Sequence, residues 1–355
     1  MSSRAVAATL VLLSLSGLRD GLMGGAYSET LEFNEDFKGG KTFDLVTLSG
    51  SVKVVGADTD EVRIKAIKRA RGAKEKAEDT LKELKVEVRK EGDHIAVKTR
   101  FPGRSGFWSR IFGAGGEHHD VWVDYEVSVP SAIDVSVNAT SADTDIRHVS
   151  GDISLDLTSG DVFGEDLGGR VVVDGMSGRV ELNNVAGDVS IDNTSGDAMV
   201  KGCGADVSVD NTSGEVFLRD VAGDVKVDGT SCDVKGDGID GFVTLDLISG
   251  DVDLRGVGEG MSLDNVSGDV HASFRDAPRR DSQVNSISGD VILTLGGGDD
   301  LDLDLETVSG EMTIEMEGLR IEDVSESSLK AATGKGRVKL HVETVSGDME
   351  ISSSE

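Results

Sequence analysis

From Ser141 to Arg275 the chain repeats itself without an insertion. Steps of nine residues land on Ser141, Ser150, Ser159, Gly168, Ser177, Ala186, Ser195, Gly204, Ser213, Ala222, Ser231, Asp240, Ser249, Gly258 and Ser267. Alternate units resemble each other more than neighbours do, so the period is 18 residues in two unequal halves. One half reads S-G-D-V-x-L-x-x-V, as in Ser177–Val185 and Ser213–Val221; the other reads A/G-G-D-V-x-V-D-N-T, as in Ala186–Thr194 and Gly204–Thr212. A fixed period of this kind marks a repeat architecture, in which a unit buries its apolar face only against its neighbours.

Apolar residues occupy the fourth, sixth and ninth places of a half, for example Val180, Leu182 and Val185, then Val216, Leu218 and Val221. Alternation across V-x-L or V-x-V turns two side chains inward and one outward, which defines a short strand. Ser-Gly at one boundary and Asp-Asn or Asp-Gly at the other supply the backbone freedom that tight corners need. The pattern predicts an all-β chain, a parallel β-solenoid (β-helix) with about 18 residues per coil in two nine-residue halves. Composition agrees: 37% hydrophobic, 4% aromatic and 46 glycines leave little for a large globular core but suit a narrow one built from small and β-branched side chains.

What surrounds the repeat is less regular. Residues 1–28 read as a signal peptide: Arg4 precedes the apolar run Ala5–Leu18, and Ala26 and Ser28 offer small residues before a cut at Glu29. That run is too short to span a bilayer, and no other stretch predicts a transmembrane segment in the mature chain. Residues 29–69 read as irregular N-terminal β coils, with strands at Thr42–Leu48, Val52–Val55 and Glu61–Ala66. Residues 70–120 read as an insertion. Its helix, Ala70–Lys85, carries Ala73, Ala77, Leu81 and Leu84 at helical spacing; a hairpin pairs Val86–Arg89 with Ile95–Lys98 around Glu91-Gly92-Asp93. The insertion ends in a loop holding Phe101, Phe107, Trp108, Ile111 and Phe112, read either as a plug for the open end of the core or as a partner or membrane-surface contact. Residues 121–276 are the regular solenoid, opened by the alternating strand Val121–Pro130. Residues 277–355 are looser coils, with Ser-Gly at 288, 309 and 346, continuing to Ile351 with irregular edges and capped by polar Glu322–Ser328.

The net charge of −30 is uneven, because residues 61–110 hold 15 Lys and Arg against 8 Asp and Glu. An acidic repeat behind a basic head repels nucleic acid and anionic lipid, so neither is expected as a partner of the repeat.

The most regular chemical feature is a column of aspartates at 18-residue spacing: Asp156, Asp174, Asp192, Asp210, Asp228, Asp246 and Asp264. A second set follows Ser-Gly and includes Asp161, Asp197, Asp251 and Asp269. Like charges one strand spacing apart repel by roughly 0.9 kcal/mol in water and about 3.5 kcal/mol at an effective dielectric of 20. Two readings relieve that repulsion. Calcium would, but the G-G-x-G-x-D-x-U-x loop of calcium-binding nonapeptide repeats is missing here. Alternatively each aspartate accepts a backbone hydrogen bond in its own corner and faces water.

Other candidates are weaker. His118, His119 and Asp120 lack a fourth ligand, and Gly334-Lys335-Gly336 lacks the spacing of a phosphate-binding loop. Asn138, Asn193, Asn211 and Asn265 begin glycosylation acceptor triplets, the last three arising from the turn chemistry of the repeat. Cys203 and Cys232 lie 29 residues apart, not a multiple of 18, so no disulfide is expected between them. Hexapeptide acyltransferases repeat apolar residues every six positions rather than nine, and polysaccharide lyases need long loops that the central stretch does not have. No catalytic, cofactor-binding or metal-binding set is expected, and no cofactor.

With these residues in view the chain resembles the bacterial putative-adhesin family of β-strand-repeat proteins. The resemblance rests on Leu48-Ser49-Gly50-Ser51-Val52-Lys53-Val54, on Tyr125-Glu126-Val127-Ser128-Val129-Pro130 and on the iterated Ser-Gly-Asp-Val. It implies a parallel β-helix exported to the bacterial envelope and carries no catalytic residues across. The expected function is that of a non-enzymatic binding or scaffold protein in the periplasm or at the cell surface. Its partner would be an envelope protein or a glycan, and its ends could self-associate. The alternative is a periplasmic partner-binding module of an envelope stress or signalling system, using the basic head and the loop at 101–120. A calcium-stabilised secreted repeat protein stands third.

Overall fold

A computed structural model describes residues 26–100, 121–297 and 300–354, with the backbone of Arg4–Ala5. Among these residues the fold is all-β with one α-helix, and the chain divides into two compact units, Met1–Gly169 and Arg170–Glu355. Most of the apolar run at 5–18, the loop at 101–120 and therefore His118, His119 and Asp120 lie outside the described residues.

The first unit contains β1 (Arg4–Ala5), β2 (Ala26–Asp36), β3 (Thr42–Ala57), β4 (Glu61–Arg71), α1 (Lys74–Glu83), β5 (Lys85–Glu91), β6 (His94–Arg100), β7 (Val121–Pro130), β8 (Asp134–Arg147), β9 (Ile153–Ser159) and β10 (Val162–Leu167). β8 bends through a corner so that its two halves pair in parallel with β9 and β10, 18 residues on. β3 follows the same path one level away, with Ser49 opposite Ser141, although 92 residues separate them. The intervening chain pairs on the far side of β3: β6 and β7 run parallel to its two halves.

Here the expectation of N-terminal coils over 29–69 needs correction. Only β3 keeps the coil register; β2 pairs antiparallel with β4, and β4 antiparallel with β7. β2 and β4 each run straight for 11 residues without a Ser-Gly corner, so neither turns onto a second face as a coil must, and they pair side by side. β2 also begins three residues ahead of the expected cut at Glu29, with Ala26, Tyr27 and Ser28 opposite Arg71, Ala70 and Arg69. β1 pairs antiparallel with β5 at Lys90 and Arg89.

The helix is shorter than expected, because Ala70 belongs to β4 and the residues from 85 onward to β5. Its apolar stripe, Ala77 and Leu81, packs on Ala70, with Tyr27 and Val121 beside them. Lys68 is nearly buried beneath it. Its ammonium donates to the carbonyls of Leu81 (3.0 Å) and Leu84 (3.1 Å) and pairs with Glu29 at 2.6 Å. A cation on the last carbonyls satisfies the orphan acceptors of the helix end and complements its dipole. The hairpin of β5 and β6 forms as expected, with Gly92 at φ 67° in its turn.

The second unit contains β11 (Val171–Ser177), β12 (Val180–Val185), β13 (Val189–Ser195), β14 (Ala198–Cys203), β15 (Val207–Val221), β16 (Val225–Ile239), β17 (Phe242–Ser249), β18 (Val252–Val257), β19 (Gly260–Ser267) and β20 (Val270–Phe274). It continues through β21 (Ser282–Ser288), β22 (Val291–Leu295), β23 (Leu301–Ser309), β24 (Met312–Glu315), β25 (Arg320–Val324), β26 (Ser328–Ala332), β27 (Val338–Ser346) and β28 (Met349–Ser353). Two parallel ladders run through it. One stacks Val189, Val207, Val225 and Val243; the other stacks Ala198, Val216, Val234 and Val252. The inward columns are buried throughout, and Leu182, Val200, Leu218 and Leu254 have at most 1% of their surface exposed. Each 18-residue unit therefore has two strand faces closing on one thin apolar core.

Glycine is required at the Ser-Gly corner. Gly214 has φ 129°, and a Cβ there would lie 2.3 Å from the carbonyl oxygen of Gly196 in the preceding level. Two corners depart from this rule: Ala142 stands opposite Gly50 in the first unit, and Cys232 opposite Gly214 in the second. Three residues earlier the usual asparagine is Gly229, whose added Cβ would sit 2.9 Å from that of Cys232. The cysteine side chain fills the space the missing amide would take.

The last levels do not follow chain order. β27 and β28 lie between β21–β22 and β23–β24, with Ser346 opposite both Ser288 and Ser309. The outermost parallel level is thus residues 301–315, and the C-terminal strands are inserted beneath it. The turn at 333–338 directs this. Leu301 N–H donates to the Thr333 hydroxyl at 3.0 Å, and Arg337 N–H to the Asp300 carbonyl at 2.8 Å, which carries the chain across the start of β23 to its other side. β26 pairs antiparallel with β23, and β25 antiparallel with β26, so the expected polar cap is a hairpin whose outer strand is fully exposed.

Candidate functional site

Side chains of like kind stand in register on the outside of the second unit, and these columns are its most distinctive chemistry. The aspartate column is real as a ladder: Asp174, Asp192, Asp210, Asp228, Asp246 and Asp264 are successive partners. Its repulsion is relieved locally. Lys226 pairs with Asp228, Asn285 donates to Asp264 at 2.6 Å, and in the first unit Asn138 donates to Asp156 at 2.8 Å. In the middle of the column, partial burial and then the charges of Asp210 and Asp174 push the Asp192 carboxyl up.

The aspartates after Ser-Gly behave differently, and the expectation for them is corrected. They accept a backbone N–H from the next level, not from their own corner. Asp251 N–H donates to Asp233 (3.0 Å), Asp269 to Asp251 (3.0 Å), Asp290 to Asp269 (3.0 Å), Asp348 to Asp290 (2.8 Å) and Glu311 to Asp348 (2.9 Å). Asp143 and Asp134 do the same in the first unit for Asp161 and Asp152. Each carboxylate satisfies a donor that the turn would otherwise leave to water, and so fixes the register between levels. Among the described residues no group of three or more His, Cys, Asp or Glu side chains converges as metal ligands do.

Three glycosylation asparagines prove structural. Asn193, Asn211 and Asn265 are buried, and their amides donate to the carbonyls of Gly178, Gly196 and Gly250 in the preceding level at 3.2 to 3.4 Å. Cys203 and Cys232 are buried free thiols in different columns, opposite Val221 and Gly214 respectively. Gly334-Lys335-Gly336 is a turn: Lys335 N–H donates to the Asp300 carboxylate at 2.7 Å. That donor, followed by the Arg337 guanidinium, holds the Asp300 carboxyl below its ordinary range. Tyr125, in the segment that carries the family resemblance, is also a core residue. Its hydroxyl lies 2.7 Å from Thr99 Oγ1, and burial pushes it up to about 12.

One surface was missed by reading the sequence for motifs. In the position before Ser-Gly, Thr194, Thr212 and Thr230 give way to Ile248, Val266, Ile287, Val345 and Val308, which the register places on five successive levels. All five are exposed, Ile248 at 56%, Ile287 at 52% and Val308 at 75%. Two residues before them stand Asp246, Asp264, Asn285, Glu343 and Glu306; three residues after them stand Asp251, Asp269, Asp290, Asp348 and Glu311. A groove of about 300 Å³ is lined by Ile248, Val266, Ile287 and Val345 of this stripe together with Asp246, Asp264 and Glu343. Aligning the repeat by its Ser-Gly pairs would have exposed the change from threonine to Ile and Val.

The first unit has a larger groove of about 860 Å³ across the outer face of β2, β4, β7 and β3, between Glu32, Lys53, Arg63 and Glu126. Its charges are partly paired, Lys65 with Glu126 at 2.9 Å.

Residues 204–352 match the family model described as Toastrack DUF4097. The Toastrack match falls on the later part of the stretch that carries the repeat-protein resemblance and includes all five residues of the aliphatic stripe. No curated protein matches the chain. Among solved structures, the chain is similar to one titled a putative cell adhesion protein from Clostridium sporogenes, at 8% identity and a TM-score of 0.23, covering 93% of this chain and 100% of that one. It is also similar to one titled a putative lipid binding protein from Parabacteroides distasonis, at 10% identity and a TM-score of 0.27, covering 92% of this chain and 97% of that one.

Proposed function

We propose that this chain is an exported parallel β-solenoid that works without catalysis, as a binding or scaffold protein of the bacterial cell envelope. The observation that carries this reading is the set of exposed side-chain columns in strict 18-residue register, for example Asp192 opposite Asp174 and Asp210. Such columns repeat one chemical group every ~4.8 Å. They suit an extended or repetitive ligand better than a small substrate, which needs a few convergent groups in a concave pocket. The family resemblance and the Toastrack match both fall on this repeat. Export is supported by the apolar run Ala5–Leu18 behind Arg4. No helix of the described residues is long and apolar enough to cross a membrane.

Protease accessibility on intact and lysed cells tests the location. Cleavage on intact cells supports an adhesin-like surface role, and protection until the outer envelope is opened supports a periplasmic scaffold. Recovery with the cytosolic fraction, uncleaved after the envelope is removed, overturns the reading.

A further inference from the structure

The aliphatic stripe at the Toastrack end has a composition that specifies its partner. We infer that Ile248, Val266, Ile287, Val345 and Val308 form a docking strip for a cationic amphipathic helix on a partner polypeptide. The inference rests on the binding reading above and names the chemistry of what is bound.

The column is occupied by threonine at 194, 212 and 230, so a hydroxylated β-branched residue satisfies the fold at this place. Five consecutive levels instead carry Ile or Val, and every one of them is exposed. Burial does not account for them, since the same strands bury other residues: Leu247, Asn265, Ser286, Thr344 and Thr307 are the inward neighbours. A contiguous apolar strip with polar rims is a feature of interaction surfaces.

Charge selects the class of partner. Asp246, Asp264 and Glu343 line the groove beside the stripe, with Glu306 in register with Glu343; Asp251, Asp269, Asp290, Asp348 and Glu311 follow three residues after the stripe, past the Ser-Gly corner. Among the described residues no Lys or Arg makes an ion pair with these carboxylates, and the His341 ring lies 4.0 Å from Glu343. A second copy of this chain, at net charge −30, would meet its own repulsion there, and so would an anionic bilayer. Lys and Arg flanking an apolar face would complement both sets.

Spacing selects the helix. Five levels at ~4.8 Å extend over roughly 19 Å, the length of a helix of about 13 residues. The helical pitch of about 5.4 Å exceeds the level spacing by ~0.6 Å per turn, which accumulates to about 2.4 Å over the four steps, or about 1.2 Å to either side of a centred helix. An extended strand laid along the strip repeats its side chains every ~6.6 Å and falls out of step after two levels.

The test uses the full chain and a fluorescent 14-residue peptide of Lys and Leu with the leucines at helical spacing. A peptide of the same composition in scrambled order is the control. Four substitutions, Ile248→Thr, Val266→Thr, Ile287→Thr and Val345→Thr, are combined in one variant; because threonine occupies this column elsewhere, its melting curve should match that of the parent. Fluorescence anisotropy should show saturable binding of the helical peptide, with Kd raised at least tenfold both by the scrambled order and by the fourfold variant. If the variant melts early, Ile287→Thr alone is used, and a threefold rise in Kd is expected. Equal binding of the scrambled peptide, unchanged binding by the variants, or no binding by the parent chain overturns the inference. Preference for zwitterionic phosphatidylcholine vesicles over the peptide also overturns it, in favour of a lipid surface. Failure here leaves the location assay unaffected, and a cytosolic location would remove the broader reading without changing the titration.

Discussion

The Asp251 carboxylate accepts the backbone N–H of Asp269, eighteen residues further on, at 3.0 Å. The same carboxylate sits on a residue whose own N–H is accepted by Asp233. The second set of aspartates is therefore a series of clamps between levels. Asp251→Ala should lower stability by about 1 kcal/mol, the worth of one exposed charge-assisted hydrogen bond. Asp251→Asn, which keeps Oδ1 as an acceptor, should lose less than half of that. Urea unfolding of the two variants measures the difference.

The Asp192 column predicts a stabilising substitution. Burial and its neighbours raise the folded carboxyl above its unfolded value, so folding disfavours the charged form. The penalty is present at neutral pH and disappears as the pH falls below the unfolded value near ~3.9. Asp192→Asn should therefore raise the melting temperature at pH 7 and leave it unchanged at pH 3. A drop at pH 7 would show that the carboxylate makes a compensating contact.

Lys68 ties α1 to the sheet through two carbonyls and Glu29. Lys68→Met keeps the aliphatic stem but leaves Leu81 and Leu84 carbonyls and the Glu29 carboxylate without their partner. We expect a loss of about 2 to 4 kcal/mol, with hydrogen exchange in α1 accelerating before that of β8. The same geometry bears on processing: a cut before Glu29 would keep that pair but remove Tyr27 from the small cluster with Ala77 and Leu81.

Both thiols should be silent in the native protein. Burial pushes the Cys232 thiol up to about 11 and raises Cys203 as well. A thiol-specific chromogenic disulfide at pH 8 should label neither until denaturant is added, and then both.

Asn211 is a test of the inner column. Leu247 occupies the same place two levels on, so Asn211→Leu should cost about 1 to 2 kcal/mol, the loss of the bond to the Gly196 carbonyl. Asn211→Asp would bury a charge and should cost on the order of 3 kcal/mol or more. Expressed in a glycosylating host, the native chain should carry no glycan at Asn193, Asn211 or Asn265, because those amides are hydrogen-bonded inside the fold.

Much of the regular stretch was legible because its signals are local. Val180, Leu182 and Val185 alternate with polar residues, and a glycine recurs where φ must be positive, so strand, corner and period follow from neighbours in sequence. The aspartate column was legible for the same reason, since a fixed period in a parallel ladder aligns equal positions. The hydrogen bonds of Asp251 and Asp269 were not. Whether a carboxylate turns to its own corner or to the next level depends on how closely the levels approach, which sequence spacing does not state. The stripe from Ile248 to Val308 was visible as a change of residue type, but Val308 and Val345 are neighbours only because β27 is inserted beside β23.

By itself the sequence determined the 18-residue register, the inward columns and the need for glycine at the corners, because each follows from side-chain alternation and backbone sterics within a few residues. The tertiary structure decided which levels stack on which. Ser288, Ser309 and Ser346 head units of nearly equal pattern, so sequence cannot rank them as partners of one another. The turn from Thr333 to Arg337, closed on Asp300 and Leu301, chooses the order by bringing β27 back beneath β23. In the first unit β4 runs straight through 11 residues without a Ser-Gly corner, and it joins the sheet antiparallel where the pattern alone read as another coil.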